Sequence, residues 1–221
     1  MSGYAVPGRE SRFATPLGEA RTVTARARKP IATLLLSHGA GGGIGTRDLA
    51  ALATALPRQG VTVVCFEQPW VLAGRKVASP PPTLDQGLRA AARRLRSTAP
   101  LIVGGRSAGA RSAARCAAEL GAVGCLALAF PLHPPGRPEK TRIDELVGSG
   151  VPTLVVQGER DPFGGPDEFP EDTDMCVIPG GDHGFSVPKR GPVSEDETMA
   201  ILVEATLEWM IRGVIGESSG G

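Results

Sequence analysis

A chain of 221 residues, 41% apolar and 21% charged with a net charge of +1, is long enough for one domain with a sizeable core, and its composition excludes disordered and fibrous classes. No apolar run approaches the roughly eighteen residues of a membrane span, and residues 1–20 carry Arg9, Glu10 and Arg12 rather than an apolar leader, so a soluble, cytoplasmic protein without a membrane partner is expected. Residues 1–120 hold 17 Lys and Arg against 6 Asp and Glu, and residues 121–221 hold 7 against 17; the basic residues are scattered and not interleaved with aromatics, and they read as solvated faces rather than a nucleic-acid surface.

Residues 1–30 form a polar N-terminal segment, with a short hairpin or edge strand expected around Thr22 to Ala27. From residue 31 to 213, short apolar runs alternate with amphipathic segments, which predicts a mostly parallel sheet with helices on both faces. The first strand, Ile31 to Ser37, leads through a glycine-rich loop to a helix behind a Thr46 cap, where Leu49, Leu52, Ala53 and Leu56 share one face. A strand at Val61 to Phe66 follows. Pro80 to Pro82 predict an extended loop after Trp70, and Thr83 with Gln86 resembles the capping box of a second helix. The strand Leu101 to Gly104 enters an Ala-rich helical stretch, Ala108 to Leu120. Val123 to Phe130 is the next strand, followed by a loop held extended by Pro134, Pro135 and Pro138. Strands at Thr153 to Gln157 and Met175 to Ile178 precede a last helix, opened by a Ser194 and Glu197 capping box and carrying Met199, Leu202, Val203, Thr206 and Met210 at helical spacing before Gly213. Residues 214–221 are expected to be a flexible tail. No internal repeat and no second domain is indicated.

Gly105-Arg106-Ser107-Ala108-Gly109 matches G-x-S-x-G, in which a nucleophilic serine sits on a sharp turn from strand to helix and small neighbours relieve the crowding. The pentapeptide is weak alone, but a strand candidate enters it and a helix candidate leaves it. A serine hydroxyl needs a base and an orienting carboxylate. His183, in the loop Gly180 to Phe185 between the last strand and the last helix, is the expected base. Asp161, just after the strand Thr153 to Gln157, is the expected acid; Asp182 is the rival, although adjacent residues on an extended loop tend to point apart. The order Ser, Asp, His is the one this fold uses.

After the first long strand, Ser37 to Gly43 supplies backbone N–H groups without side-chain obstruction, so Ala40 or Gly41 with Ala108 is the expected oxyanion hole; a bland flexible loop is the alternative. His38 is expected to stabilise this turn rather than act as a base. Glu67, Trp70, Arg106, His133 and Phe185, with His38, are pocket candidates. Trp70 and Phe185 would line an apolar acyl pocket, and Arg75, Arg106 and Arg160 would attract an acidic substrate, unless Trp70 packs a loop and the arginines are solvated. Cys65, Cys116, Cys125 and Cys176 lack C-x-x-C spacing and read as buried thiols of a reducing compartment. With only three histidines, none in H-E-x-x-H, no metal site and no cofactor are expected.

At these residues the sequence resembles the small α/β-hydrolase branch of bacterial predicted hydrolases and eukaryotic relatives, including the testis-expressed hydrolase-like protein and the hydrolase-like subunit of the NSL chromatin complex. The resemblance runs from about Ile31 to Ile211. Its markers are Leu36-Ser37-His38-Gly39-Ala40-Gly41, Phe66-Glu67-Gln68-Pro69-Trp70, Gly104-Gly105-Arg106-Ser107, Phe130-Pro131-Leu132-His133-Pro134 and the Asp161 and His183 loops. It implies an α/β-hydrolase fold with Ser107 as nucleophile, Asp161 as acid and His183 as base, but no substrate. Ala108 and Ala110 stand where many relatives carry Met and Gly, a departure expected to alter the pocket floor. Dienelactone hydrolases are more distantly similar and use Cys where Ser107 stands.

The function expected is hydrolysis of a small carboxylic ester or thioester through an acyl-enzyme on Ser107. Only about twenty residues separate the strand ending at Phe130 from that starting near Thr153, which leaves little room for a lid and predicts an open site. The alternatives are a noncatalytic binding or scaffold module of the same fold, since some members of the branch serve as complex subunits, and an acyltransferase or perhydrolase using the same triad.

Overall fold

The computed structural model describes residues 3–215. Eight strands form one sheet: β1 (Arg9–Thr15), β2 (Gly18–Ala25), β3 (Ala32–Ser37), β4 (Val61–Glu67), β5 (Leu101–Arg106), β6 (Gly124–Leu128), β7 (Thr153–Gly158) and β8 (Met175–Ile178). Their spatial order is β1-β2-β4-β3-β5-β6-β7-β8. From β4 through β3 to β8 the pairing is parallel, as the alternation of runs predicts, while β1 and β2 add an antiparallel hairpin to the β4 edge. The N-terminal feature expected around Thr22 to Ala27 is β2, one strand in from the edge. Its partner β1 is exposed along most of its length, so no apolar alternation marks it in the sequence.

Six helices complete the layers: α1 (Arg47–Ala55), α2 (Pro69–Leu72), α3 (Pro81–Ala92), α4 (Ala108–Cys116), α5 (Ile143–Val147) and α6 (Glu195–Trp209). Alternate side chains of each strand point to opposite faces. Leu34, Leu36, Val63 and Ile102 therefore bury one face against Leu49 and Leu52 of α1 and Leu202 and Trp209 of α6. Leu35, Val64, Val103 and Cys125 bury the other against Leu88 of α3, Ala113 of α4 and Leu146 of α5. The alanines of α4 keep that helix close to β5, where Gly104 and Gly105 present no side chain.

Several local expectations change in context. Pro81 and Pro82 do not hold the chain extended; they open α3, where a missing N–H is no loss because the first turn has no acceptor for it. Thr83 is thereby inside the helix and forms no capping box with Gln86. Thr46 occupies the cap position of α1 without a side-chain hydrogen bond, whereas Ser194 and Glu197 form the reciprocal box at α6, at 3.2 and 2.7 Å. β6 stops at Leu128, because Ala129 turns to φ 47°. Beyond Trp209 the chain continues as a wider turn, Met210–Ile215, straight across Gly213, and buries Met210 and Val214 in the core. The rest of the expected tail, 216–221, lies outside the described residues.

Cys65, Cys116 and Cys125 are buried and unpaired, and Cys176 is half-buried; burial pushes the Cys65 and Cys125 thiols up to about 12. Among the described residues no helix is long and apolar enough to cross a membrane, and no three His, Cys, Asp or Glu side chains cluster as metal ligands. The chain leaves β3 for β4 on one side and returns to β5 on the other. The loops after β3 and β5 therefore diverge, and a crevice opens at their C-terminal ends, where open α/β sheets bind ligands.

Candidate active site

Ser107 stands at that crevice, between β5 and α4, with φ 53° and ψ −113°. This conformation is strained for an L-residue, and the surrounding backbone holds it. The Ser107 N–H donates to Leu128 O at 2.9 Å. A Cβ at Gly105 would lie 2.6 Å from Ser37 O, and one at Gly109 would lie 2.5 Å from the same oxygen. Both motif glycines are thus fixed by the close approach of the β3 end, which is why G-x-S-x-G brings the serine up beside the loop that follows β3.

His183 reaches Ser107 from the loop between β8 and α6. Its Nε2 lies 2.9 Å from Ser107 Oγ and its Nδ1 lies 2.7 Å from Asp161 Oδ2. Because the carboxylate only accepts, Nδ1 carries the proton and Nε2 is left as acceptor for the serine hydroxyl. The Asp161 side chain is fully buried. Its Oδ1 accepts the Phe163 N–H at 2.8 Å, and its Oδ2 accepts the Gln157 amide at 3.0 Å. Asp182 does something else: its Oδ1 accepts the N–H groups of Gly184 and Ser186 at 2.7 and 2.9 Å, folding the loop that presents His183. A Cβ at Gly158 would press on Gly181 and Asp182 carbonyls at 2.6 and 2.5 Å, so the end of β7 and the histidine loop also touch backbone to backbone.

Three further residues hold this arrangement. Gln157, fully buried, donates its amide to Asp161 and to Gly164 O at 2.9 Å. Arg106 donates to His183 O at 2.9 Å and pairs with the buried Asp48 of α1 at 3.3 Å. The Phe163 ring packs on the His183 imidazole, centroids 4.2 Å apart. Sequence reading passed over Gln157 and Phe163. A glutamine closing an otherwise apolar buried strand was the available signal for the first; nothing in the sequence marked Phe163.

The remaining predicted residues separate into two groups. Ala40 and Gly41 lie exposed on the loop after β3, with Gly39 of the same loop close enough that its Cβ would sit 3.3 Å from Ser107 Cβ. Ala108 is the first residue of α4, where an N–H has no partner within the helix. His38, Glu67 and Trp70, by contrast, are buried supports of that loop rather than pocket walls. His38 donates from Nδ1 to Gly39 O at 2.8 Å and accepts the Gln68 N–H at Nε2, 3.0 Å; burial pushes its pKa down, favouring the neutral ring those bonds require. Glu67 accepts from Ile44 N–H at 3.2 Å and from Arg21 at 2.6 Å. Trp70 packs against His38, ring centroids 5.5 Å apart.

Phe185 is fully buried in the core, so the aromatic beside the imidazole is Phe163 instead. Ala110 is likewise buried in the core and is no part of a pocket floor. Arg106 and Arg160 are engaged with loop carbonyls, Arg160 Nε donating to Gly180 O at 3.0 Å; Arg75 is exposed. His133 is almost wholly buried, between Pro134 O and Glu168 Oε2, both at 2.9 Å. Since both partners only accept, the doubly protonated ring suits them best, and the ring's pKa is raised by Pro134 O first and by Glu168 after it. This pair ties the loop after β6 to the Asp161 loop.

Residues 30–211 match the family described as Alpha/beta hydrolase domain. Among curated proteins no sequence matches. Among solved structures, an alpha-beta serine hydrolase homologue from Coxiella burnetii superposes with a TM-score of 0.71 at 19% identity, covering 91% of this chain and 98% of its own. A serine hydrolase without lid from Xanthomonas campestris gives 0.70 at 20% identity, over 95% and 98%. A dienelactone hydrolase from Anabaena variabilis gives 0.66 at 16% identity, over 93% and 99%. These likenesses establish a shared fold.

Proposed function

The chain belongs to the alpha/beta hydrolase family, and from that premise we propose that it is a serine hydrolase cleaving a small carboxylic ester or thioester through an acyl-enzyme on Ser107. The observation that carries this reading is the unbroken relay from Asp161 through His183 to Ser107, at 2.7 and 2.9 Å. His183 takes the Ser107 proton as the oxygen attacks the carbonyl carbon, and the N–H of Ala108 with that of Ala40 or Gly41 stabilises the oxyanion. His183 then hands the proton to the leaving alkoxide or thiolate. Water, deprotonated by the same ring, hydrolyses the ester on Ser107 and restores the serine. Asp161 fixes the tautomer and stabilises the imidazolium.

Between β6 and β7 the structure has only a short 3₁₀ turn and the five-residue α5. That economy supports an open site and a compact substrate. The Leu36 to Gly41 and Phe66 to Trp70 motifs support placing the chain in the small-hydrolase branch of the family.

The test is labelling of wild type and Ser107→Ala with a fluorophosphonate probe, located by peptide mass spectrometry, alongside turnover of short-chain aryl esters. Label on Ser107, absent from the variant together with turnover, is the expected result. A folded wild type that takes no label and turns over no ester would overturn the reading in favour of a noncatalytic module.

A further inference from the structure

Apart from Arg106, the basic side chains of residues 1–120 take no part in the Ser107 site. Five of the seventeen Lys and Arg in that half instead line a cavity of about 980 Å³ between the β1–β2 hairpin, the starts of β3 and β4, and the segment that follows α3. Thr33 and Thr62 lie at the N-terminal ends of their strands, whereas Ser107 follows the C-terminal end of β5. The cavity is therefore at the opposite end of the sheet from the crevice.

Five arginines line it: Arg9, Arg26, Arg28, Arg94 and Arg96. No carboxylate lines it with them. All five are exposed, and the ion pairs among the described residues use none of them. Strand alternation explains the segregation. On β1, Arg9, Ser11 and Phe13 face the cavity, while Glu10 and Arg12 face away and pair with each other. On β2, Thr22 and Thr24 face it, while Glu19 and Arg21 pair with Arg12 and Glu10 on the far side. The local carboxylates are thus spent on the outer face, and the inner face keeps guanidinium groups alone.

The cavity is not only cationic. Phe13 is half-buried in it, with the Arg94 guanidinium 5.5 Å from its ring centroid, and Val64, Ala91 and Leu95 extend an apolar wall. Its rim is braced: Thr62 Oγ1 accepts the Ala27 N–H at 3.1 Å, and Thr33 Oγ1 donates to Ser97 Oγ at 2.9 Å. Like charges held together without a counter-ion repel, and a ligand carrying several negative charges relieves them. Guanidinium forks match phosphate oxygens in pairs, while a planar aromatic group gains from stacking on Phe13 and on a guanidinium plane. The volume lies within the range of small-molecule sites.

We propose that this cavity is a second site, separate from Ser107, that binds a nucleoside polyphosphate, with the base against Phe13 and Arg94 and the phosphates among Arg9, Arg26, Arg28 and Arg96. The probe is a fluorescent ATP analogue, followed by anisotropy at about 0.15 M salt and displaced by unlabelled competitors. Saturable binding is expected, displaced by ATP and about tenfold less well by adenosine or inorganic tripolyphosphate. Arg26→Ala with Arg94→Ala should weaken it about ten- to hundredfold with the melting temperature kept, since both side chains are exposed. Ser107→Ala should bind as wild type does, so the result is independent of the hydrolase reading. Absence of saturable binding, tripolyphosphate competing as well as ATP, an unchanged affinity in the folded double variant, or a single-stranded oligonucleotide binding more tightly than ATP would each overturn the proposal. The competition series needs only the wild type and decides the matter even if the double variant does not fold.

Discussion

Two aspartates lie beside His183, Asp161 on the segment after β7 and Asp182 within the β8–α6 loop, and have separable tasks. Asp161→Asn keeps the shape but lets the amide donate to His183 Nδ1, which selects the wrong tautomer; turnover is expected to fall about 10³- to 10⁴-fold. The new N–H facing the Gln157 amide donor should also cost about 1 to 3 kcal/mol of stability. Asp182→Ala removes an acceptor for two loop N–H groups and should cost about 1 kcal/mol of stability, with a smaller loss of turnover. Ester kinetics and urea melts on both variants separate the two aspartates. His133 and Glu168 supply a pH signature. The folded pKa of His133 is raised, so its contribution to stability is full below the unfolded value near 6.5 and is lost as pH rises through the raised one. Glu168 is lowered, by the Gly165 N–H first, so its contribution fades only as pH falls through that lowered value. Glu168→Gln should therefore destabilise the protein more at pH 6 than at pH 9, as denaturant midpoints at the two values will show.

At the scale of elements, the strand-to-helix turn at Ser107 depends on backbone approach more than on any side-chain contact. Gly109→Ala would drive a Cβ to 2.5 Å from Ser37 O, backbone that cannot yield without moving β3. Loss of fluorophosphonate labelling and a drop of several kcal/mol are expected. Ser194→Ala tests a different kind of local device, one of hydrogen bonds at a helix end, and should cost about 1 kcal/mol with labelling retained. The sequence makes the second device legible, because a capping box is a contact between residues three apart. The first is legible only as a motif, since the oxygen that forbids a side chain at 109 belongs to a strand some seventy residues earlier. Pro81 and Pro82 show the opposite failure: their missing N–H groups read as a break, although the first turn of a helix needs none.

Over the whole molecule, two cores on either face of one sheet hold the parts in place, and α6 closes the face below the histidine loop. Trp209 is almost fully buried there, and a Cβ at Gly124 would lie 2.9 Å from its ring. Trp209→Ala is expected to cost about 3 to 5 kcal/mol, measured by urea unfolding, with labelling of Ser107 retained in the folded protein, since Gly124 begins β6 at the end of the sheet away from Ser107. The sequence by itself determined the parallel sheet from β3 to β8 and marked Ser107, His183 and Asp161 as candidates, because apolar period, turn residues and a motif at a strand end are local. Only the tertiary structure decided that His38, Glu67 and Phe185 are supports, that Gln157 and Phe163 join the site, and that five scattered arginines share one cavity. Those outcomes depend on which strands become neighbours and which face each residue takes, and neither is written in any single stretch of the chain.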